Sequence, residues 1–334
     1  MIPLNRGLLI SLSLFLSDQD IKGKENCLHT FLYPCMGTTF KVSVHSEKPR
    51  NELSHIVKGS FKIADKMDTI FSDYSADSEV SKINQLGSFI PQKISNELYE
   101  LLKISETLYI KTNGAFDPAS GALTRLWRLS RKTQKLPDQE SIKRAQKASN
   151  YNNLIFDKEN KKLTKKDPST RLDFGGIAKG FTADKMLQYM KKNHLNSCSI
   201  SAGGDIVVGD PPIGKSNWTI KIKPFGDSDA HKFEIRLSNG AVSTSGNVEQ
   251  FVQIGDIKYS HIINPTTGLG LTIDDSVVVI SRKGSTSDAL ATSISILGKN
   301  GFKILNHFPN TAAAIIDPGN NKVMKSQNFN KISE

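Results

Sequence analysis

The sequence Asp173-Phe174-Gly175-Gly176-Ile177-Ala178-Lys179-Gly180 places two adjacent glycines and a lysine directly before a predicted helix. Paired glycines let the backbone approach a ligand closely, and the first turn of a helix offers unpaired N–H groups to an anion. Lys179 adds a positive charge at the same place. The spacing is neither that of a Walker A loop nor that of a GxGxxG loop. The segment therefore predicts either a cradle for phosphate groups or a tight strand-to-helix turn.

Strands and helices alternate irregularly on both sides of this segment. Residues 39–44 alternate apolar and polar side chains and predict a strand, while residues 51–71 and 96–111 repeat apolar side chains at helical spacing. The other predicted elements are a hairpin over 153–165, helices over 180–192 and 287–297, and strands at 198–201, 218–222, 233–237, 241–244, 251–254, 259–263, 277–281, 312–316 and 322–325. Because no regular βαβ order emerges, we expect an α+β fold of mixed sheets with packed helices.

The chain of 334 residues has the composition of a globular protein, with 37% hydrophobic and 23% charged residues. These values exclude a disordered chain and a protein with many membrane spans. Lys and Arg number 44 against 33 Asp and Glu, which gives a net charge of +11.

The basic excess is concentrated in one stretch. Fourteen basic and five acidic residues lie between Arg125 and Arg171, so this stretch alone carries +9. Such a stretch is typical of a solvated surface or of attraction to an anionic ligand or an acidic partner. Nucleic acid is not expected as a partner, because the basic residues lack interleaved aromatic residues and no recognition motif is present.

The N-terminal residues 7–17 (GLLISLSLFLS) form an apolar run behind a single basic residue, Arg6. Such a run is too short to cross a hydrocarbon layer of about 30 Å as a helix, but it has the length of a signal-peptide core. No clear small-residue cleavage site follows it. We therefore expect residues 1–27 to be a signal or anchor segment and residues 28–334 to form the functional domain. The corresponding location is the periplasmic face of the inner membrane, with the cytoplasm as the alternative.

The three cysteines, Cys27, Cys35 and Cys198, form neither a disulfide framework nor a Cys/His metal motif. Cys27 and Cys35 can pair in an oxidising compartment, although nothing in the sequence requires it. Neither is preceded by residues suited to lipidation.

Several other polar positions are typical of catalytic chemistry. Asp288 and Thr292 lie four residues apart on a predicted helix, so their oxygens project from one face. A carboxylate and a hydroxyl suit a hard cation such as Mg²⁺; the alternative is a carboxylate at the positive end of a helix and a packed threonine. Asp205 follows a Gly-Gly pair and is predicted to cap a hairpin corner. His261 is predicted in the middle of a strand, where a lone histidine is structural unless other features point to it.

Several short motifs follow one another along the chain: Met36-Gly37-Thr38, Phe71-Ser72-Asp73-Tyr74 with Ser78-Glu79 and Asn84, Gly114-Ala115-Phe116-Asp117-Pro118, residues 173–180 with Asp184, Gly203-Gly204-Asp205, Thr244-Ser245-Gly246, residues 259–268, and Asp288-Ala289-Leu290-Ala291-Thr292. Taken together, this ordered set resembles the ApbE-like FAD:protein FMN transferases over about residues 33–300. The resemblance implies an ApbE-like (T-fold-like) architecture. It also implies an enzyme that cleaves the pyrophosphate of FAD with Mg²⁺, transfers FMN to a Ser or Thr hydroxyl of a target protein and releases AMP.

The resemblance further implies roles for individual residues. The Mg²⁺ ligands would be the backbone carbonyl of Ala178 with the side chains of Asp288 and Thr292, and His261 would act at the reacting phosphate as general base on the acceptor hydroxyl. Flavin contacts would come from Met36, Tyr74, Ala115, Phe116, Asp117, Lys179 and Thr182. The implied acceptors are flavin-carrying subunits of membrane redox complexes, of the Na⁺-translocating NADH:quinone reductase or Rnf type.

Two positions depart from the family pattern. Asn264 stands where Asp commonly precedes the proline, and Asn247 stands where Asp often follows the Thr-Ser-Gly segment. If the carboxylate orients His261 in relatives, an amide does so more weakly. Two other hypotheses therefore accompany the transferase: an FAD pyrophosphatase that yields FMN and AMP, and a non-catalytic FAD-binding protein.

Overall fold

An eight-stranded antiparallel sheet lies at the centre of the protein in the computed structural model, which describes residues 13–14, 27–223, 233–246, 251–320 and 322–333. Its strand order is β16-β15-β14-β11-β8-β7-β3-β2. The bounds of these strands are β2 Leu28–Cys35, β3 Thr38–His45, β7 Cys198–Ala202, β8 Asp205–Val208, β11 Gly240–Gly246, β14 Ser276–Ser281, β15 Ala312–Asp317 and β16 Lys322–Lys325. The mixed composition of sheets and helices confirms the predicted α+β class.

Helices cover one face of this sheet, except that the last described helix packs Phe329 on the other face. The helices are α1 Arg50–Phe71, α2 Glu79–Gln85, α3 Asn96–Lys111, α4 Gly121–Thr133, α5 Gln139–Ala148, α6 Ala178–Lys192, α7 Gly284–Leu297 and α8 Phe329–Ser333. Helix α6 packs Ala183 and Met186 against strand residues such as Ile200. Helix α7 packs Leu290 and Ile294 in the adjoining cluster. The central helices α6 and α7 therefore lie side by side on the middle of the sheet.

A smaller sheet covers the opposite face. It consists of β1 Ser13–Leu14, β9 Trp218–Ile222 and β10 Phe233–Leu237, in the order β1-β9-β10. Strand β14 lies between the two layers, and its valines alternate between them: Val277 and Val279 pack on the helical side, while Val278 packs on the other. Burial on both faces explains the continuous apolar run of this strand.

Two further groups of strands lie beside the helices. One is the sheet β4-β6-β5, with bounds Gln92–Lys93 (β4), Leu154–Asp157 (β5) and Lys162–Lys165 (β6). The other is the hairpin of β12 Phe251–Ile254 and β13 Ile257–Ser260. Trp127 on α4 packs on Tyr259 of this hairpin with ring centroids 5.1 Å apart. Short 3₁₀ segments at Tyr151–Asn153 and Gly298–His307 complete the described elements.

The described fold excludes a disulfide bond between Cys27 and Cys35. Cys27 and Cys35 lie at opposite ends of strand β2, and all three cysteines are free. Eight extended residues span about 26 Å, whereas the Cα atoms of a disulfide are less than about 7 Å apart.

The apolar run over residues 7–17 lies outside the described residues except for Ser13 and Leu14, which pair with β9. Over the described ranges, no helix combines the length and the hydrophobicity needed to cross a membrane.

Candidate active site

A buried charge cluster joins three elements at the start of α6. The Lys179 ammonium lies 3.3 Å from Asp205 Oδ2 on β8 and 3.6 Å from Asp288 Oδ2 on α7. It also donates to the Gly175 carbonyl at 3.3 Å. Helix α6 begins at Ala178, two residues before the predicted start, so Lys179 belongs to its first turn. Asp205 is a buried strand residue and not the predicted turn cap, because it lies at the start of β8 facing this ammonium.

Two glycines allow α6 and α7 to come this close. A Cβ at Gly180 would lie 2.2 Å from the Gly284 carbonyl oxygen and 2.9 Å from Asp288 Cβ. The Gly180 N–H instead donates to Asp288 Oδ2 at 3.1 Å. Asp184 accepts hydrogen bonds from the N–H groups of Gly284 and Ser285, at 2.7 and 2.9 Å, and so fixes the start of α7 against α6. The crossing aims Asp288 at the N-terminus of α6.

The cluster is electrostatically unbalanced. Burial and the neighbouring Asp205 raise the pKa of Asp288 to about 7, although Lys179 opposes the shift. Burial alone would lower the pKa of Lys179, but the two carboxylates outweigh it and raise that pKa. Two carboxylates share one ammonium, so the fully ionised cluster carries one negative charge in excess. This excess favours a further cation at the same place.

The predicted metal ligands lie on the two sides of this crossing. Thr292 borders the glycine loop, because a Cβ at Gly176 would lie 3.1 Å from Thr292 Oγ1. The Ala178 carbonyl accepts a hydrogen bond from Thr182 Oγ1 at 2.7 Å. Asp288 lies one turn of α7 before Thr292 and faces Gly180, as described above.

These groups fit a hard cation such as Mg²⁺. In the part of the chain that the structure describes, no group of three or more His, Cys, Asp or Glu side chains is arranged to hold a metal. The donor set offers carboxylate, hydroxyl and carbonyl oxygens instead, the kind that Mg²⁺ takes together with waters and phosphates. Asp205 Oδ2, beside the Lys179 ammonium, is buried and accepts no hydrogen bond from the described residues, which leaves a carboxylate oxygen in this cluster with unused capacity.

The predicted flavin contacts differ in their surroundings and in their exposure to solvent. Met36 lies at the cluster, since Thr182 Oγ1 donates to its sulfur at 3.5 Å. Tyr74 is 76% exposed and offers its ring to solvent. Ala115 and Phe116 are buried, and the Phe116 ring packs in the main core.

Asp117 holds a loop together. Its carboxylate accepts hydrogen bonds from the N–H groups of Ala119 and Tyr151, at 2.7 and 3.0 Å. Burial raises its pKa to about 6, although both hydrogen bonds oppose the shift. The carboxylate therefore ties the 114–118 segment to residue 151.

Sequence reasoning missed an ion-pair network at the edge of the site. Arg128 on α4 lies 3.2 Å from Asp73 Oδ1 and 3.8 Å from Asp173 Oδ2. Its guanidinium also lies 4.0 Å from the ring centroid of Tyr74. The network thus joins α4 to the first residue of the glycine loop. The two carboxylates lie in the quoted motifs, whereas the sequence marks α4 only as part of a basic stretch.

His261 is not in the middle of a strand, and that prediction is wrong. Strand β13 ends at Ser260, because the Ser260 N–H donates to the Leu271 carbonyl at 2.7 Å and its hydroxyl accepts from the Ile262 N–H. His261 is exposed in the following bend. It borders a small cavity together with Thr124 of α4.

The segment after His261 is anchored to α4 and α5. Trp127 Nε1 donates to the Gly268 carbonyl at 2.8 Å, and Gln146 Nε2 donates to the Thr266 carbonyl at 2.7 Å. Asn264 Oδ1 accepts the Thr266 N–H at 2.9 Å, so this amide stabilises the turn. Helix α4 thereby contacts both the His261 segment and, through Arg128, the glycine loop.

Comparison with known proteins identifies the family of this chain. The profile of the ApbE family matches residues 36–316. The FAD:protein FMN transferase of Treponema pallidum (strain Nichols) is 28% identical over 302 residues, covering 85% of this chain and 83% of that protein. The FAD:protein FMN transferase of Chlamydia muridarum is 33% identical over 239 residues, covering 70% and 73%. The crystal structure of the ApbE protein from Thermotoga maritima superimposes with a TM-score of 0.81 at 29% identity, covering 92% of this chain and 99% of that one. The chain belongs to the ApbE family.

Proposed function

We propose that this chain is a Mg²⁺-dependent FAD:protein FMN transferase that modifies a Ser or Thr hydroxyl of a target protein and releases AMP. The observation that carries the proposal is the buried cluster of Lys179, Asp205 and Asp288 at the N-terminus of α6. The curated relatives named above support the flavin chemistry, since they carry the name FAD:protein FMN transferase.

The chemistry of a pyrophosphate explains why such a cluster is useful. Cleavage of a pyrophosphate needs positioning and charge neutralisation more than covalent help. The Lys179 ammonium lies in the first turn of α6, at the positive end of the helix dipole, where it can stabilise developing negative charge. Mg²⁺, when held by the Ala178 carbonyl, Asp288 and Thr292, would supply further charge neutralisation on the phosphate oxygens.

The acceptor hydroxyl needs a base, because a neutral hydroxyl is a weak nucleophile. In the proposed step, the hydroxyl oxygen forms a bond to the FMN phosphorus while the bond from that phosphorus to the AMP oxygen breaks. His261 accepts the hydroxyl proton, and AMP leaves with the electron pair of the broken bond. The exposure of His261 suits this role, since a residue on another protein must reach it.

Hydrolysis is the second candidate function. The same exposure admits water to His261, and water in place of the protein hydroxyl would yield free FMN and AMP. The two functions differ only in the acceptor.

The acceptors we propose are flavin-carrying subunits of the Na⁺-translocating NADH:quinone reductase or Rnf type, modified at the periplasmic face of the inner membrane. The family resemblance supports the acceptors, and the apolar run over residues 7–17 supports export.

The test is incubation of the purified protein with FAD and Mg²⁺, with and without such a subunit, followed by chromatography of the flavins. We expect protein-bound FMN and one AMP for each FMN transferred, with both lost on addition of EDTA. Free FMN formed at full rate and never bound to protein would instead establish the pyrophosphatase. Intact FAD after prolonged incubation would exclude both enzymes.

A further inference from the structure

The ring of Tyr74 lies at the surface with a cation against one of its faces. The Tyr74 side chain is 76% exposed, and the Arg128 guanidinium lies 4.0 Å from its ring centroid. The exposure leaves the opposite face of the ring open to solvent. An aromatic ring that is backed by a cation on one face and open on the other is suited to stacking with a second planar ring.

Two carboxylates hold the Arg128 guanidinium in place. Arg128 donates two hydrogen bonds to Asp73, one of them at 3.2 Å, and lies 3.8 Å from Asp173 Oδ2. Burial lowers the pKa of Arg128, but Asp73 and Asp173 outweigh burial and raise that pKa. The guanidinium therefore has a fixed position and a fixed plane, which a paired arginine provides and a lysine does not.

The loop that carries Tyr74 is otherwise held by local contacts. The Ser72 hydroxyl accepts hydrogen bonds from the N–H groups of Tyr74 and Ser75, each at 3.3 Å. The Ser78 hydroxyl donates to the Ser72 carbonyl. These hydrogen bonds fix the backbone of the turn but leave the tyrosine side chain its choice of rotamer. The contact with Arg128 therefore decides where the ring points.

The glycine loop does not depend on the guanidinium in the same way. Leu172 exchanges two hydrogen bonds with the Asn84 side chain, at 2.6 and 3.0 Å. The N–H of the next residue, Asp173, donates to the Pro118 carbonyl at 2.9 Å. Removal of the guanidinium should thus displace the tyrosine ring and leave the glycine loop in place.

The same contacts connect the ring to the charge cluster at the start of α6. Asp173 Oδ1 accepts the Gly175 N–H at 2.7 Å, and the Gly175 carbonyl accepts a hydrogen bond from the Lys179 ammonium at 3.3 Å. A ligand whose phosphate lies at this cluster can therefore extend a planar ring toward Tyr74. In FAD and FMN that ring is the isoalloxazine, which a flexible ribityl chain joins to the phosphate.

We propose that Arg128 is a positioning residue that fixes the Tyr74 ring as the surface on which the isoalloxazine of FAD stacks. This inference rests on the proposed transferase function and on the flavin contact expected of Tyr74. An arginine with a purely structural role would affect the stability of the fold. It would not distinguish a flavin from another ligand of the same phosphate site.

The test compares two ligands that lack the pyrophosphate bond which the proposed reaction breaks. FMN carries the isoalloxazine, whose fluorescence is quenched when it stacks on an aromatic side chain, and AMP carries a phosphate without a flavin. Both are titrated in the presence of Mg²⁺, FMN by fluorescence and AMP by calorimetry. The proteins are the wild type, Arg128→Met, Tyr74→Leu and the double variant.

Lys185→Met is the matched control. The Lys185 side chain is 22% exposed, as is that of Arg128, and it pairs with Glu100 at 2.6 Å. Its ammonium lies 5.1 Å from the ring centroid of Phe181, a buried residue of the main core. The control therefore removes the same charge from a ring that is closed to ligands.

We expect Tyr74→Leu to weaken FMN binding by about tenfold, Arg128→Met by about three- to tenfold and Lys185→Met by less than about twofold. The double variant should bind FMN no more than about twofold more weakly than Tyr74→Leu alone, because Arg128 acts through the ring. Bound FMN should be less quenched in Arg128→Met than in the wild type. AMP affinity should stay within about twofold of the wild type in every protein, because the phosphate site is unchanged.

Three results would each overturn the proposal: multiplied losses in the double variant, unchanged FMN affinity in Arg128→Met, or equal losses in Arg128→Met and Lys185→Met. A loss of AMP affinity in Arg128→Met would do the same, because it would place the effect at the phosphate site or at the adenine.

A second variant serves if Arg128→Met does not fold. Arg128→Lys keeps the charge but not the plane that lies on the ring, and it should still weaken FMN binding by at least about threefold. Wild-type FMN affinity in Arg128→Lys would overturn the proposal. A wild type that binds neither FMN nor FAD would overturn the proposed function as well, whereas unaffected variants of an FMN-binding wild type would overturn only the role of Arg128.

Discussion

Two charged regions of this protein are built in opposite ways. At the crossing of α6 and α7, one half-buried ammonium lies between the buried carboxylates of Asp205 and Asp288. On α4, Arg125 and Lys132 are exposed and have no partner among the described residues. Buried charges require fixed partners, because an uncompensated one is costly, whereas exposed charges are screened by water and salt. The first region therefore keeps its geometry through fixed partners, whereas the side chains of the second need none.

The largest expected effect comes from removing a carboxylate of the buried cluster. Asp288→Ala should lower Mg²⁺-dependent FAD cleavage by about 10³-fold, the scale seen when a group that stabilises developing charge is lost. The measurement is the initial rate of FAD cleavage over a Mg²⁺ titration. A variant with the wild-type titration would refute the metal assignment.

Asp288→Asn separates activity from folding at the same position. The amide can still accept the Gly180 N–H, and it removes a carboxylate whose pKa is raised by burial. We expect a loss of activity similar to that of the alanine variant, with a thermal midpoint equal to or above that of the wild type. A strongly lowered midpoint would mean that the carboxylate serves folding instead.

The next largest effect concerns the exposed His261, outside both regions. His261→Ala should lower FMN transfer by about 10²- to 10⁴-fold, the usual range for a general base. FAD affinity and the thermal midpoint should stay unchanged, because the side chain is exposed. Calorimetric FAD binding and transfer to an acceptor are measured on the same preparation. Unchanged turnover would remove His261 from its role.

The close packing of α6 and α7 predicts a smaller effect on stability. Gly180→Ala should lower the free energy of unfolding by about 1–3 kcal/mol through overpacking, although alanine is the better helix former. The control is Gly87→Ala, where the nearest atom to a new Cβ is 3.4 Å away. Denaturant unfolding compares the two variants, and equal stability of both would contradict the described crossing.

A comparable effect on stability concerns the buried carboxylate of Asp117, which has no cation beside it. The pKa of Asp117 is about 6 in the folded protein against an ordinary 3.8. The folded state therefore holds this proton more tightly than the unfolded state, so Asp117 stabilises least above pH 6. Its contribution should decline by up to about 3 kcal/mol between pH 4 and pH 7. Denaturant unfolding at several pH values should show this decline in the wild type and not in Asp117→Asn. If the free energy of unfolding falls equally with pH in both proteins, another group causes the decline.

Periodic apolar patterns predicted most of the central fold. The helical spacing over residues 51–71 and 96–111 became α1 and α3, and residues 277–281 became most of β14. The predictions failed where charged residues or glycines masked the apolar pattern of a helix or strand. Helix α4 was noticed for its charge, because its buried residues are few and its first residue is glycine. Strand β8 was overlooked since Asp205 follows two glycines, which is typical of a turn.

The candidate site was only partly predictable for a similar reason. Motif resemblance singled out Lys179 and Asp288 but not the ion pair that Asp205 makes with Lys179. The partners lie 26 and 109 positions from Lys179 along the chain, so only the folded sheet and helix crossing bring them together. The pairing of Arg128 with Asp73 and Asp173 also depends on the position of α4, which local patterns do not encode.

Intact-mass spectrometry of an acceptor tests the central claim most directly. A flavin-carrying subunit of a Na⁺-translocating NADH:quinone reductase is incubated with FAD, Mg²⁺ and either the wild type or His261→Ala. We expect the wild type to add one FMN through a phosphodiester to a Ser or Thr of the subunit, and the variant to add none. An unmodified subunit in a mixture where the wild type has converted FAD to free FMN would contradict the account.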